Sequence, residues 1–110
     1  MVSIKISPRA QKDMLEIKEY ISGELCNPIA ANNVLSIITK RIRELAEFPL
    51  VGAPLSSIID FETGYRFLVC GQYTVFYRYE DDTVYVDRVL YGRRDFMRIL
   101  FGDVAEGEGN

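Results

Sequence analysis

YRFLVCGQYTVFYRYEDDTVYVDRVLYGRRD, Tyr65 to Asp95, is the stretch that decides how this chain folds. Three apolar, β-branched and aromatic segments are separated by two tight turn signals, the pattern of an antiparallel three-stranded meander. Gly71-Gln72 reads as a two-residue loop with glycine first, suited to a type II′ turn. That loop pairs Cys70 with Tyr73, Leu68 with Val75 and Arg66 with Tyr77. Asp81-Asp82 forms the second turn, which sets Tyr77 beside Val86 and Val75 beside Arg88. One face then carries Arg66, Leu68, Cys70, Tyr73, Val75, Tyr77, Val84, Val86, Arg88 and Leu90. The other carries Tyr65, Phe67, Val69, Thr74, Phe76, Arg78, Tyr85, Asp87 and Val89. Both are largely apolar, so the pattern does not say which face meets the rest of the chain.

Upstream, Val2, Ile4 and Ile6 alternate with Ser3 and Lys5, a short strand. Ser7-Pro8 is a helix start, with serine as N-cap and proline in the first turn. Ala10, Met14, Ile17 and Ile21 follow as one helical stripe, with Arg9, Lys12, Asp13, Glu16 and Glu19 on the outer faces. Gly23 and Asn27-Pro28 end this helix and open a second, whose stripe is Ala31, Val34, Leu35, Ile38, Ile42 and Leu45. The two helices form an antiparallel hairpin. Phe48-Pro49 stops the second helix. The connector that follows is irregular, with Ser56 to Phe61 a candidate edge strand. Beyond the meander, Phe96, Ile99 and Leu100 suggest a short terminal helix. The fold class is α+β: strand, helical hairpin, meander sheet packed on the helices, short C-terminal helix. Residues 1–101 read as one domain and 102–110 as an acidic flexible tail.

Composition narrows the function. With 110 residues and 48% apolar content the chain can bury a modest core. No window approaches ~18 uninterrupted apolar residues, and the N-terminus has no apolar signal region, so a cytoplasmic protein without a membrane span is expected. The two cysteines, Cys26 and Cys70, lack metal or redox spacing and read as buried thiols. Histidine is absent, which excludes Ser/His/Asp and Cys/His catalysis and removes the commonest zinc ligand. No cofactor or metal is expected. The net charge is −3, and Asp103, Glu106 and Glu108 account for it, leaving 13 basic and 13 acidic residues before them. Arg88, Arg93, Arg94 and Arg98 cluster against Asp87 and Asp95.

No segment is a self-sufficient catalytic motif. The ordered set YRFLV at 65–69, YTVFYRY at 73–79 and RVLYGRRD at 88–95 nevertheless resembles the RelE/ParE superfamily of bacterial type II toxins, most closely its ParE-like branch. The likeness spans roughly residues 2–101. It implies a small α+β toxin of a toxin–antitoxin (plasmid stabilisation) module, neutralised by a cognate antitoxin that covers part of the sheet. A homodimer or a heterotetramer with antitoxin would fit. ParE-like members inhibit growth by poisoning DNA gyrase; RelE-like members cut mRNA on the ribosome with a basic sheet face.

The residues favour the first. Thr74 stands where RelE-like enzymes carry an arginine, Tyr65, Phe67 and Val69 fill positions often basic there, and Leu100 replaces a terminal tyrosine. Only Arg94 matches a RelE catalytic arginine, with Tyr91 where many members have histidine; these two are the catalytic candidates if the chain is a nuclease. A degenerate, non-toxic member that only binds antitoxin is the third reading. The candidate target- or antitoxin-binding set is Arg66, Tyr77, Arg88, Arg93, Arg94 and Arg98. Arg66 has a structural alternative, pairing with Glu62 or stacking on Tyr77, and Arg88 one of pairing with a carboxylate.

Overall fold

The computed structural model describes residues 2–92 and 95–102. Strand β1 (Ser3–Ile6) leads through Ser7 into helix α1 (Pro8–Glu19). Ser7 does two jobs there. Its Oγ accepts from Ala10 N at 2.9 Å, and the same hydroxyl donates to Asp87 O at 3.0 Å, pinning the helix start to the sheet. The helix continues as a π turn (Tyr20–Glu24). Cys26 then adopts φ 52°, and Asn27 caps helix α2 (Pro28–Glu44) by accepting from Ala30 N.

The strands β2 (Ala53–Pro54), β3 (Tyr65–Cys70), β4 (Tyr73–Glu80) and β5 (Thr83–Tyr91) complete a five-stranded sheet of order β1-β5-β4-β3-β2. β1 is parallel to β5, and the other pairings are antiparallel. The meander is therefore the centre of a mixed sheet. The edge strand lies at Ala53–Pro54 and not within 56–61: Pro54 has no N–H to continue a ladder, and Leu55–Ser57 coils into a 3-10 turn.

The first hairpin has the expected register, with Gly71 at φ 64°. In the second, Asp81 and Asp82 both take positive φ, 50° and 59°, the signature of a type I′ turn. Tyr77 pairs with Val86 as expected, but Val75 pairs with Val89 and not with Arg88. A bulge between Phe76 and Tyr77 on one side, opposite an extra residue in β5, accounts for the shift. It resets the alternation of β5, so Val89 joins the helix-facing core instead of the opposite face.

That core sets Ala10, Ile38, Ile42 and Leu45 against Leu68, Cys70, Val75, Tyr77, Val84, Val86 and Val89. Of the two thiols expected to be buried, only Cys70 is; Cys26 is exposed in the inter-helix link. The opposite face has its own cover. Helix α3 (Phe96–Phe101) stacks Phe96 on the buried Phe76, centroids 5.7 Å apart, and sets Phe101 edge-on to Tyr65 and Phe61.

Both sheet edges are occupied by side chains. Ser3 and Ser7 N–H groups point to β5, so the polar groups of Ile4 and Ile6 point outward; Gln11 Nε2 donates to the Ile6 carbonyl at 2.9 Å. On the other side Arg41 donates to the Val69 carbonyl at 3.4 Å, beyond the reach of β2.

Candidate functional site

Of the six binding candidates read from the sequence, Arg66, Tyr77, Arg88 and Arg98 lie among the described residues, and these four do not form one surface. Arg66 and Tyr77 face each other across β3 and β4, and both are spent on the connector. Arg66 Nη1 donates to Gly52 O at 2.6 Å and to Leu50 O at 3.3 Å, so its partners are backbone carbonyls, not Glu62. Tyr77, fully buried, accepts from Gly52 N at 3.0 Å and donates to Pro49 O at 2.8 Å. Burial raises the Tyr77 hydroxyl pKa, as a phenol that must stay protonated to donate requires. Gly52 fits because it lacks a Cβ, which would meet Tyr77 Oη at 2.6 Å and Phe67 O at 2.7 Å. The clamp holds Phe48, Leu50 and Val51 out in solvent, each more than half exposed.

Arg88 turns toward α1. Its Nε and Nη2 meet the two oxygens of Asp13 at 2.7 and 2.9 Å, and Asp13 Oδ2 also accepts from Val89 N at 3.0 Å. The bulge is what brings consecutive residues of β5 onto one carboxylate. Asp13 is 6% exposed, although its place among charged residues had put it on the outer face. It stands three residues after Ala10, and that i,i+3 spacing on an apolar stripe was the signal that could have found it. Hydrogen bonding to Asp13 raises the Arg88 pKa, so its charge is permanent.

The outer face holds a second network. Tyr65 Oη donates to Asp87 at 2.8 Å, Arg78 Nε donates to the same carboxylate at 3.0 Å, and Arg78 Nη1 reaches Glu80 at 3.3 Å. The guanidinium lies over the Tyr85 ring, 4.9 Å from its centroid. Burial, reinforced by Asp87, pushes the Tyr65 phenol up to about 12. A phenol at that value is no base at neutral pH. Thr74 is buried on this face, as the sequence placed it.

Of the terminal arginines, Arg98 is exposed on α3 with Asp95 3.6 Å away, while Arg93 and Arg94 lie outside the described residues. Tyr91, just over half exposed, sets its ring edge-on to Tyr73, centroids 5.6 Å apart.

An open groove of about 820 Å³ lies between α1 with its π turn, the start of α2, and β5 with the first hairpin loop. Ile17, Ile21, Val34 and Val89 give it an apolar floor; Tyr20, Leu25, Tyr73 and Tyr91 form its rim, and Asp13, Glu16 and Arg88 line one end. Of these, only Arg88 and Tyr91 were site candidates from sequence. The groove is made by tertiary packing, which periodicity does not report. No group of metal-binding side chains occurs among the described residues, and no helix there is long and apolar enough to cross a membrane.

A family model for the ParE toxin of the type II toxin–antitoxin system, parDE, matches residues 4–96. The chain belongs to the ParE toxin family. ParE-type architecture extends to solved structures. A chain of the chromosomal ParDE toxin–antitoxin system from P. aeruginosa superposes with a TM-score of 0.70 at 20% identity, over 84% of this chain and 97% of that one. A chain of the toxin–antitoxin complex RelBE2 from Mycobacterium tuberculosis gives 0.61 at 21% identity, over 82% and 96%. At those identities the likeness is one of fold. No curated protein sequence matches the chain significantly. The ParE family assignment thus agrees with the resemblance carried by residues 65–95.

Proposed function

We propose that this ParE-family protein is a toxin that acts by binding a protein target, DNA gyrase being the first to test, and is held inactive by a cognate antitoxin. One observation carries the choice of binding over RNA cleavage: the chemistry of the outer sheet face. A metal-free ribonuclease needs uncommitted cationic groups to stabilise the phosphorane and a group to shuttle protons. Among the described strand residues that face carries two cations: Arg78, neutralised by Asp87 and Glu80, and Lys5, set apart on the edge strand β1 opposite Tyr85. Beside Arg78 stand Tyr65 and Phe76, with Thr74 farther along β4, and α3 lies across Tyr65 and Phe76. Such a face supports packing and recognition. Arg93, Arg94 and Arg98 complete the proposal as the contacts to target or antitoxin. Arg66, Tyr77 and Arg88 contribute indirectly, by fixing the connector and β5.

The test is expression without antitoxin, followed by supercoiling assays with purified protein. Growth arrest with blocked gyrase turnover, relieved by antitoxin, is the expected result. Gyrase activity untouched at micromolar protein removes that target. Cleavage of translated mRNA in the ribosomal A site, abolished by Arg94→Ala, would instead establish the nuclease, and no arrest at all would establish a non-toxic antitoxin binder.

A further inference from the structure

The start of the connector displays apolar side chains on a fixed frame. Val51 N donates to Phe48 O at 3.1 Å, closing a four-residue turn through Pro49 and Leu50. Four further bonds fasten it to the sheet: Tyr77 Oη to Pro49 O, Gly52 N to Tyr77 Oη, and Arg66 Nη1 to the carbonyls of Leu50 and Gly52. Phe48, Leu50 and Val51 stand more than half exposed on this turn. A single exposed apolar residue is ordinary; three within one pinned turn make a patch that a partner need not order. Beside it lies an unbalanced charge. Only Nη1 of Arg66 is bonded, and to neutral carbonyls, so Nε and Nη2 have no partner among the described residues, and neither is shut off from solvent. The neighbouring acids leave it unpaired: Glu44 is bonded to Arg41, Glu62 accepts from Gly64 N, and Glu47 is exposed without a pair to Arg66. Nε and Nη2 form the edge with which Arg88 grips Asp13, a fork matched to a carboxylate.

We propose that the turn Phe48–Val51 and Arg66 form a docking surface for a segment of the target protein that carries a carboxylate among apolar side chains. The aspartate or glutamate takes the Nε/Nη2 edge of Arg66, and its apolar neighbours cover Phe48, Leu50 and Val51. The inference rests on the reading that the protein acts by binding a protein target, and adds to it a surface and the partner's chemistry. A basic segment would bring a second cation against Arg66; a purely apolar one would dry the guanidinium without supplying an anion. Arg66 thus has two parts, Nη1 holding the turn and the opposite edge facing the partner.

Two synthetic peptides test the chemistry on the full chain. Both carry the same leucine and phenylalanine positions; one has glutamate and the other lysine at the positions between. Amide NMR shifts locate binding. The acidic peptide is expected to bind at least ~10-fold more tightly, shifting Leu50, Val51, Gly52 and Ala53. Arg66→Gln should abolish that preference. Since Arg66→Gln also removes two bonds to the connector, a second variant combines Leu50→Ser with Val51→Ser, exposed positions whose side chains make none of those bonds. It should weaken the acidic peptide at least ~10-fold and leave the urea midpoint unchanged. Equal binding of the two peptides, shifts confined to the α1–β5 groove or the α3 side of the sheet, or an acidic peptide indifferent to the double variant would overturn the proposal. A dimer of the parent chain that the double variant dissolves would give the turn to a second copy and overturn it as well. In cells the double variant should lose growth arrest and still bind antitoxin. Arrest at the parent level, or antitoxin binding lost along with arrest, would overturn the proposal and leave the toxin reading intact. A parent chain that arrests nothing would sink that reading, and the peptides would still decide the surface.

Discussion

Asp13 and Arg88, 75 residues apart, are joined by two contacts of 2.7 and 2.9 Å, and the same carboxylate takes the N–H of Val89. One side chain thereby fastens α1 to the bulged part of β5. Removing a partner strands the other charge in a largely dry site. Asp13→Ala should cost about 3–5 kcal/mol, the range for breaking a buried pair. Asp13→Asn, which keeps acceptor capacity toward Val89, should cost less. Urea unfolding measures both, and equal stability of Asp13→Ala and the parent would refute the account.

The Tyr77 clamp gives an independent test. Tyr77→Phe leaves Gly52 N–H and Pro49 C=O without their partner, a loss of about 1–3 kcal/mol. Hydrogen exchange should accelerate locally at residues 50–54. Gly52→Ala should destabilise similarly by a different route, since its Cβ would press on the Phe67 carbonyl and the Tyr77 ring. If exchange in the connector is unchanged in both variants, the clamp is not what orders it.

How much of this was legible in the residues divides along physical lines. Elements set by local chemistry were readable: the Ser7 and Asn27 caps, the Gly71 turn and the first hairpin's register depend only on neighbours in sequence. The bulge was not, because nothing in Val86-Asp87-Arg88-Val89 announces an extra residue, and the error it caused moved Val89 to the wrong face. Asp13 was hidden by its own charge. A carboxylate on an apolar stripe reads as solvated until its arginine arrives from a distant strand. The same limit applies to Arg66, whose partners are carbonyls of an irregular loop. Motifs fared better than faces: the ordered set in 65–95 pointed to the family that residues 4–96 match.

Alkaline pH should report on Tyr65. Its folded pKa lies near 12 against an ordinary 10.0, so the native state holds the proton more tightly than the unfolded chain. The stabilisation is complete below pH 10 and is lost as pH rises from 10 toward 12. Tyr65→Phe should flatten that part of the stability profile and delete a late-titrating phenol from the ultraviolet titration. An unchanged profile would show that neither burial nor the Asp87 hydrogen bond raises the Tyr65 pKa.

Helix α3 has six residues and no side-chain N-cap bond, so ring contacts must hold it. Phe96→Ala should release it from Phe76, seen as lost exchange protection at 97–101 and dye binding to the uncovered face. Retained protection would mean that Phe101 against Tyr65 and Phe61 suffices.

The side chains at the two sheet borders have a consequence for the protein alone. A toxin made in excess of its antitoxin must survive unaccompanied at high concentration. Bare strand borders invite copies to zip into fibrils. Gln11 on the Ile6 carbonyl and Arg41 on the Val69 carbonyl act as stoppers against that polymerisation. Each occupies an acceptor that a second copy's strand would need for edge-to-edge pairing.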